Sequence, residues 1–136
     1  MWRSIALAGG TADYVVVKDS PSLGDMEQLT LAAWVNLDAI NGHADVIVGK
    51  DFEFLLAKDG YGRLYFNYSK TGAAWNGAVF CNASFNAGQW YHVAATYNSS
   101  TGAVKMYVDG KLVGNSTVSS PGVINASSSV LTIGKL

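Results

Sequence analysis

The chain has 136 residues, which suits one domain and leaves no room for two ordinary ones. Its 9 basic and 10 acidic residues give a formal net charge of −1, without the cationic excess that binding to a nucleic-acid backbone needs. Hydrophobic residues make up 49% but stand in short runs, none near the ~18 apolar residues of a membrane-spanning helix. We therefore expect neither a nucleic-acid partner nor a membrane span.

Period-two alternation of apolar residues predicts that the chain is built from short β-strands. The alternation is clearest where residues 29, 31, 33, 35 and 37 are all apolar. Comparable segments predict ten strands, at residues 14–18, 29–37, 45–50, 52–58, 63–69, 78–84, 90–98, 103–109, 111–116 and 130–136. Because strands of this kind form two stacked sheets or a barrel, the expected fold class is all-β.

Turn residues stand between these segments, where the strand assignment needs them. Asp109-Gly110 is the strongest hairpin signal, because a two-residue type I′ turn needs positive φ at both central positions. Residues 58–62 and 98–102 predict longer hairpin loops. No internal repeat or linker divides the chain, so residues 1–136 are expected to form a single domain.

Three stretches of the chain carry a family resemblance. The first runs from Asp13-Tyr14-Val15 through residues 19–23 to the strand 29–35; the second is Trp90-Tyr91-His92-Val93-Ala94-Ala95-Thr96-Tyr97 followed by residues 106–113; the third is Leu131-Thr132-Ile133-Gly134. Together they resemble the laminin-G-like domains of the concanavalin A-like lectin/glucanase superfamily, the pentraxin-like jelly rolls. The resemblance implies a two-sheet antiparallel jelly-roll sandwich, with Trp34 and Trp90 packed in the core or on a sheet face.

The resemblance departs from the family at the end of the sequence. Family members usually continue after the motif matching Leu131 to Gly134 into one more strand, whereas this sequence ends at Leu136. The resemblance thus implies a sheet edge without a partner. We expect a fragment of a larger protein, or a domain completed by a strand from another chain.

The residues that hydrolysis would need do not follow the family's catalytic pattern. The retaining glucanases of the superfamily carry Glu, Asp and Glu at alternate positions of one strand, and here Glu27 and Glu53 are the only glutamates. Because glycoside cleavage needs paired carboxylates, we expect the protein not to be an enzyme. His92 has no carboxylate within four residues, which favours a structural role.

Calcium is the cofactor that the resemblance implies. Many relatives hold Ca²⁺ through oxygen ligands at the rim of the sandwich, and Asp13 matches a residue with that role. Calcium takes roughly six to eight oxygen ligands, part of which Gly10, Thr11 and nearby carbonyl groups would supply. The alternative is that Asp13 caps a turn.

Glycan is the ligand class that the loop residues favour. Sugar sites combine a flat aromatic side chain, which stacks on a pyranose ring, with amide or carboxylate groups that bind hydroxyls. Trp75, followed by Asn76 in a loop of small residues, is the leading candidate, and Tyr61, Asn41 and His43 are further candidates in turns. The alternative for Trp75 is that it caps the end of the core.

Five asparagines begin an Asn-x-Ser/Thr triplet, which is the acceptor for N-glycosylation: Asn67, Asn82, Asn98, Asn115 and Asn125. This is more than composition alone would produce, and it favours a glycoprotein that is extracellular or at the cell surface. The positions near hairpin ends, Asn98 and Asn115, are the best placed of the five. The alternative is that a chain rich in Ser and Asn produces the triplets by chance.

These observations predict a non-catalytic extracellular recognition or adhesion module that binds glycan or an extracellular protein. The rival hypothesis is a structural subunit of a surface filament, sheath or virion, whose incomplete sandwich receives a strand from a neighbour. The missing last strand, the low charge and the many Asn-x-Ser/Thr triplets favour assembly, whereas an exposed Trp75 among convergent polar groups would favour glycan binding.

Overall fold

The computed structural model describes residues 3–7 and 12–135, and it contains every predicted strand. The strands are β1 (Val15–Val17), β2 (Gln28–Asn36), β3 (Asp45–Lys50), β4 (Phe54–Lys58), β5 (Arg63–Tyr68), β6 (Val79–Ser84), β7 (Trp90–Asn98), β8 (Ala103–Val108), β9 (Lys111–Thr117) and β10 (Leu131–Ile133). A 3-10 turn at Pro21–Leu23 joins β1 to β2. The strand predicted at 52–58 begins at Phe54 instead, because residues 51–53 form a turn. Of the strand predicted at 130–136, residue 136 lies outside the described residues.

The strands form two antiparallel sheets, and the two-sheet jelly-roll prediction is confirmed. The larger sheet has the order β1-β10-β3-β4-β5-β6, and the smaller has the order β2-β7-β8-β9. Within the described ranges, β1, β6, β2 and β9 each pair with one neighbour only and are therefore edge strands.

The core lies between the sheets and is built from alternate residues of each strand. In β2, Leu31 is buried while Ala33 and Val35 pack against the same cluster, as the apolar alternation predicted. In the larger sheet the even-numbered residues of β4 and β5 face the core, among them Phe54 and Phe66. The odd-numbered residues of these strands therefore face outward, and they form the surface on which a groove lies.

Two buried tyrosines form hydrogen bonds to the irregular segment that follows β9. The rings of Tyr68 and Tyr97 lie 4.6 Å apart at the centre of the cluster. The Tyr68 hydroxyl donates to the Ser120 carbonyl at 3.0 Å, and the Tyr97 hydroxyl donates to the Gly122 carbonyl at 2.7 Å. These bonds hold the start of the long connection between β9 and β10 against the sandwich.

The Asp109-Gly110 turn has the predicted geometry. Val108 pairs with Lys111, so two residues form the hairpin loop. Their φ angles are 49° and 75°, as a type I′ turn requires.

Trp34 and Trp90 lie on the outward face of the smaller sheet and not in the core. Their side chains are 61% and 53% exposed. The Trp34 ring packs edge-on against the His92 ring, with centroids 5.3 Å apart. The position follows from the alternation in β2, because Trp34 has the opposite parity to the buried residues. The resemblance allowed either the core or a sheet face for these tryptophans, and the structure places both on the sheet face.

No helix within residues 3–7 and 12–135 is long and apolar enough to cross a membrane.

Candidate functional site

A groove of about 470 Å³ crosses the outward face of the larger sheet. Its floor includes Gly49, Leu55 and Thr132, which lie side by side on β3, β4 and β10. Trp75 stands at the end next to the β3–β4 turn, and Lys135 stands at the other end of β3, where its carbonyl accepts from the Val46 N–H at 2.9 Å. We call this the outer groove; its lining residues are Val46, Gly49, Lys50, Asp51, Phe54, Leu55, Trp75, Ser129, Val130, Thr132 and Lys135.

Gly49 keeps the floor of the outer groove low. A Cβ at this position would lie 3.0 Å from the Leu55 Cβ and 3.1 Å from a Val46 methyl carbon. Because residue 49 faces outward, any side chain here would project into the groove. The volume is within the ~300–1,000 Å³ typical of ligand pockets.

Trp75 forms an aromatic wall together with Phe52 from the β3–β4 turn. The two rings are stacked, with centroids 5.6 Å apart and planes 23° apart. Asn76 fixes the loop beside Trp75: its N–H donates to the Tyr68 carbonyl at 2.8 Å, and its Oδ1 accepts from the Lys70 N–H at 2.7 Å. Trp75 is thus held at the groove while the Asn76 oxygen is used to shape the loop.

Phe52 sits in a backbone conformation that side chains rarely adopt. Its φ is 54°, in the left-handed region that favours glycine. The turn is closed by the Glu53 N–H, which donates to the Lys50 carbonyl at 3.0 Å. A bulky residue at such a position costs roughly 1–3 kcal/mol and persists only where the surroundings hold it there.

A buried lysine lies beneath this turn. The Lys50 side chain is fully buried, and its Nζ lies 2.6 Å from Glu53 Oε1 and 2.7 Å from Asp19 Oδ1. Burial alone would lower the pKa of Lys50, but the hydrogen bonds and charges of Asp19 and Glu53 outweigh burial and raise the pKa above 10.5. Lys50 is therefore an ammonium ion at neutral pH.

Asn41, His43 and Tyr61 come together at the opposite end of the β3–β4 hairpin, away from Trp75 and Asn76. Lys58 Nζ donates to Asn41 Oδ1 at 3.0 Å and to the His43 carbonyl at 2.8 Å. Tyr61 is 80% exposed in the neighbouring turn. None of the three lines the outer groove, and the Asn41 oxygen is occupied by Lys58. The five predicted ligand-binding residues thus form two separate groups.

A second depression, of about 430 Å³, lies on the same face beside β5 and β6. The Arg63 guanidinium stands 5.5 Å from the Tyr61 ring centre and 5.0 Å from that of Phe80, both of which are exposed. Asp59 pairs with Arg63 at 2.7 Å. Burial alone would raise the pKa of Asp59, but the bonds from Arg63 and Tyr61 hold it below 3.8.

Sequence reasoning did not single out Phe52, Lys50, Arg63 or Phe80, although it named Tyr61, which Arg63 contacts. Arg63 and Phe80 could have been found from strand parity, since both have the parity that faces outward. Nothing in the sequence marks Phe52, because an ordinary apolar residue occupies a position where glycine is the usual signal.

The asparagine triplets differ in how far the fold uses their side chains. Asn98 Oδ1 accepts from the Ser100 hydroxyl at 2.7 Å and from the Thr101 N–H at 3.2 Å, so this amide shapes its own turn. Asn67 lies half-buried on a central strand, where its Oδ1 accepts from the Tyr68 N–H at 2.9 Å.

The remaining three asparagines divide in the same way. Asn125 is half-buried, and its side-chain amide packs closely on Gly72. A Cβ added to Gly72 would lie only 2.6 Å from the Asn125 amide nitrogen. Asn82 and Asn115 are exposed on the edge strands β6 and β9. These two positions have the most room for an attached glycan.

Asp13 is exposed, and two residues named with it as calcium ligands, Gly10 and Thr11, lie outside the described residues. No group of three or more His, Cys, Asp or Glu residues with metal-binding geometry occurs in the described part of the chain. A calcium shell at Asp13 would therefore need backbone carbonyls, because no such group supplies most of the roughly six to eight oxygens from side chains within the described residues.

The two antiparallel sheets define a jelly-roll sandwich. The family model for the concanavalin A-like lectin/glucanases superfamily matches residues 9–136, and the chain belongs to this superfamily, in its laminin-G-like branch. No curated protein is significantly similar to the chain.

Several solved structures share the fold at low sequence identity. The sialidase module CBM40 of Ruminococcus gnavus, bound to α2,3 sialyllactose, is 13% identical with a TM-score of 0.67, over 92% of this chain and 80% of that chain. Domains LG4-5 of the mouse laminin α1 chain are 21% identical with a TM-score of 0.67, over 96% of this chain and 35% of theirs. The SAP-like pentraxin of Limulus polyphemus is 20% identical with a TM-score of 0.58, over 79% of this chain and 51% of that chain. The chain thus spans about a third to a half of the laminin and pentraxin structures.

Proposed function

We propose that this domain is a non-catalytic glycan-binding module and that the outer groove is its binding site. The observation that carries the proposal is Trp75, stacked on Phe52 at the wall of an open groove. An indole held in this way offers a rigid apolar face to a pyranose ring at little entropic cost.

The polar groups of the outer groove suit sugar hydroxyls. Asp51, Ser129, Thr132 and Lys135 line it together with Trp75, so the groove offers hydrogen-bond acceptors and donors as well as one aromatic surface. A similar fold carries sialyllactose in the Ruminococcus gnavus module, which supports glycan as the ligand class.

Glycan-array binding followed by calorimetry tests the proposal. Trp75→Ala is expected to weaken binding of an array-selected glycan by at least about tenfold, since stacked aromatic residues dominate such sites. Trp34→Ala is the matched control, because Trp34 is an exposed tryptophan on the other sheet and should leave the affinity within about twofold. Equal losses in both variants, or binding by neither variant nor the parent protein, would contradict the proposal.

The absence of catalysis forms part of the proposal. Glu53, one of the two glutamates, is fully buried and paired with Lys50 at 2.6 Å, so it is committed to structure. The other, Glu27, is exposed on the approach to β2. We expect no release of reducing sugar from any glycan that binds.

An extracellular location and glycosylation are further parts of the proposal. Asn82 and Asn115 are the acceptors we favour, because their side chains are exposed on edge strands and a glycan there would block edge-to-edge pairing. Mass spectrometry of protein secreted from a glycosylating host is expected to find higher occupancy at these two sites than at Asn67, Asn98 and Asn125. Uniform occupancy, or none, would contradict the assignment.

Calcium at Asp13 stays a prediction that rests on the family resemblance. Thermal denaturation with calcium or a chelator, for the parent protein and Asp13→Asn, tests it directly. A calcium-dependent gain in Tm that Asp13→Asn abolishes would support the site, and identical curves would remove it.

The second candidate function is a structural subunit completed by a strand from another chain. The observation that favours it is the free edge of β2, a strand of nine residues that pairs only with β7 among the described strands. Such an edge can accept a further strand. Light scattering at increasing concentration tests this function, and a monomer at all concentrations would count against it.

A further inference from the structure

The Lys50 ammonium collects oxygen atoms from separate parts of the chain. Besides Asp19 and Glu53, its Nζ lies 3.0 Å from the Ser127 carbonyl and 3.5 Å from the Leu23 carbonyl. These atoms come from the segment after β1, the 3-10 turn, the β3–β4 turn and the β9–β10 connection. Carboxylate and carbonyl oxygens are also the ligand types that proteins use to hold a hard metal ion.

Glu53 links this cluster to the loop that carries Trp75. Its Oε1 accepts from the Ser127 N–H at 2.6 Å as well as from Lys50, and its carbonyl accepts from the Ser69 N–H at 2.7 Å. Its second carboxylate oxygen is buried and receives no hydrogen bond from any described residue. Glu53 therefore has unused acceptor capacity at a buried oxygen.

The same cluster holds the strained turn in place. Phe52, whose φ is 54°, lies in the turn between Lys50 and Glu53. The side chains of Lys50 and Glu53 form an ion pair across this turn, and the Glu53 N–H also donates to the Lys50 carbonyl. Because Phe52 supports Trp75, the ion pair acts on the wall of the outer groove through the turn that carries Phe52, in addition to the place that Lys50 has in the groove lining.

We propose that Lys50 is a built-in cation that takes the place of a structural metal ion at this rim and positions the Phe52–Trp75 wall. Lys50 is thus a positioning residue, and the wall forms without added metal. The consequence for glycan affinity rests on the proposed function of the groove; the consequences for Trp75 and for cation binding do not.

Lys58 supplies a matched control within the same hairpin. Its side chain is also fully buried, and its Nζ pairs with Asp45 at 2.6 Å. It stands at the end remote from Trp75. Removal of Lys58 therefore measures the effect of losing a buried ammonium without disturbing the aromatic wall.

The first experiment measures acrylamide quenching of Trp75 fluorescence in the absence of glycan. The chain has 4 tryptophans, so the Trp75 contribution is obtained by subtracting the fluorescence of the same protein with Trp75→Phe. In Lys50→Met the quenching constant is expected to rise about twofold, whereas in Lys58→Met it should change by less than about a quarter, because loss of preorganisation is local. Glycan affinity is expected to fall about tenfold or more only in Lys50→Met. Unchanged Trp75 quenching in Lys50→Met would overturn the positioning role, whether or not any glycan binds.

The second experiment tests the cation. Lys50→Ala leaves the carboxylates of Asp19 and Glu53 facing a space that a metal ion can enter, so millimolar calcium chloride is expected to raise the Tm of Lys50→Ala more than that of the parent protein. Lys58→Ala, which leaves one carboxylate, should gain less. If Lys50→Ala does not fold alone, folding is followed on addition of calcium, and no recovery would count against the proposal. A Tm that is equally insensitive to calcium in all three proteins would overturn it.

Discussion

The two ends of the β3–β4 hairpin each bury a lysine, yet they are built for different tasks. At one end Lys50 is shared between two carboxylates and lies beneath the turn that carries Phe52. At the other end Lys58 is held by one carboxylate, from Asp45, and by uncharged oxygens of the 41–43 segment. The comparison teaches that a buried ammonium can hold loops together at either end, but only the Lys50 end lies beneath the aromatic wall of the outer groove.

The largest expected effect is on the free energy of unfolding when each buried lysine is replaced in turn. Lys50→Met leaves Glu53 buried without its partner, which typically costs about 3–5 kcal/mol of unfolding free energy. Lys58→Met leaves Asp45, whose side chain is 21% exposed, and should cost less, about 1–3 kcal/mol. Urea denaturation measures both values. Equal losses would show that the second carboxylate adds nothing at the Lys50 end.

Alkaline titration sharpens the comparison on the Lys50 side. A lysine with a raised pKa contributes stability that is fully present below 10.5 and is lost as pH rises through its folded-state pKa. Quenching of Trp75 should therefore stay constant from neutral pH to about 10.5 and increase above it. Lys50→Arg, whose guanidinium stays charged, should keep the wall ordered at higher pH. Loss of the wall below 10 would contradict the account.

Tyr68 sets an independent alkaline limit for the whole sandwich. Burial, aided by the neighbouring Tyr97, raises the pKa of Tyr68 from 10.0 to about 12. The unfolded chain then binds fewer protons than the folded one between these values, so stability falls with rising pH by about 2–3 kcal/mol. Tyr68→Phe should flatten this part of the unfolding free-energy profile. A profile unchanged in Tyr68→Phe would assign the alkaline loss elsewhere.

A smaller effect is expected at the Lys58 end from Gly60. A Cβ on Gly60 would lie 2.5 Å from the Gly42 carbonyl oxygen, so Gly60→Ala must shift backbone and should cost about 1–3 kcal/mol. Gly122→Ala is the control, because the atoms nearest to its Cβ would belong to the flexible Lys70 side chain. Chemical denaturation should separate the two variants, and neither should alter Trp75 quenching. A change at Trp75 in Gly60→Ala would mean that the two ends are coupled.

The strand framework could be predicted from the sequence because parity and turn chemistry act locally. Alternation in β2 and the Asp109-Gly110 pair each depend on neighbouring residues, and both predictions are confirmed. The same parity placed Trp34 opposite the core face, although its place in a family signature allowed either location. Local alternation thus explains which side of β2 each residue takes, including the side of Trp34 that the resemblance had left open.

The groove could be predicted only in part because its parts lie far apart in the chain. Trp75 was singled out as an aromatic residue in a loop of small residues, and it lines the outer groove. Its partners could not be inferred, since Lys50 and the Ser127 carbonyl are 77 residues apart and meet only after both sheets have formed. Periodicity also hides Phe52, because it sits in a turn next to a strand and looks like a further strand residue.

Phe52 yields the smallest change in stability and the sharpest test of what the strained turn is for. Phe52→Gly relieves a φ of 54° but loses the stacking on Trp75, so the unfolding free energy should change by less than about 1 kcal/mol. Trp75 should nevertheless become as accessible to acrylamide as in Lys50→Met. Asp25→Gly relieves a similar φ of 51° at an exposed site and should leave Trp75 unchanged. If Phe52→Gly also left Trp75 unchanged, the loop around Asn76 would hold the indole by itself, and the Lys50 end would differ from the Lys58 end in charge alone.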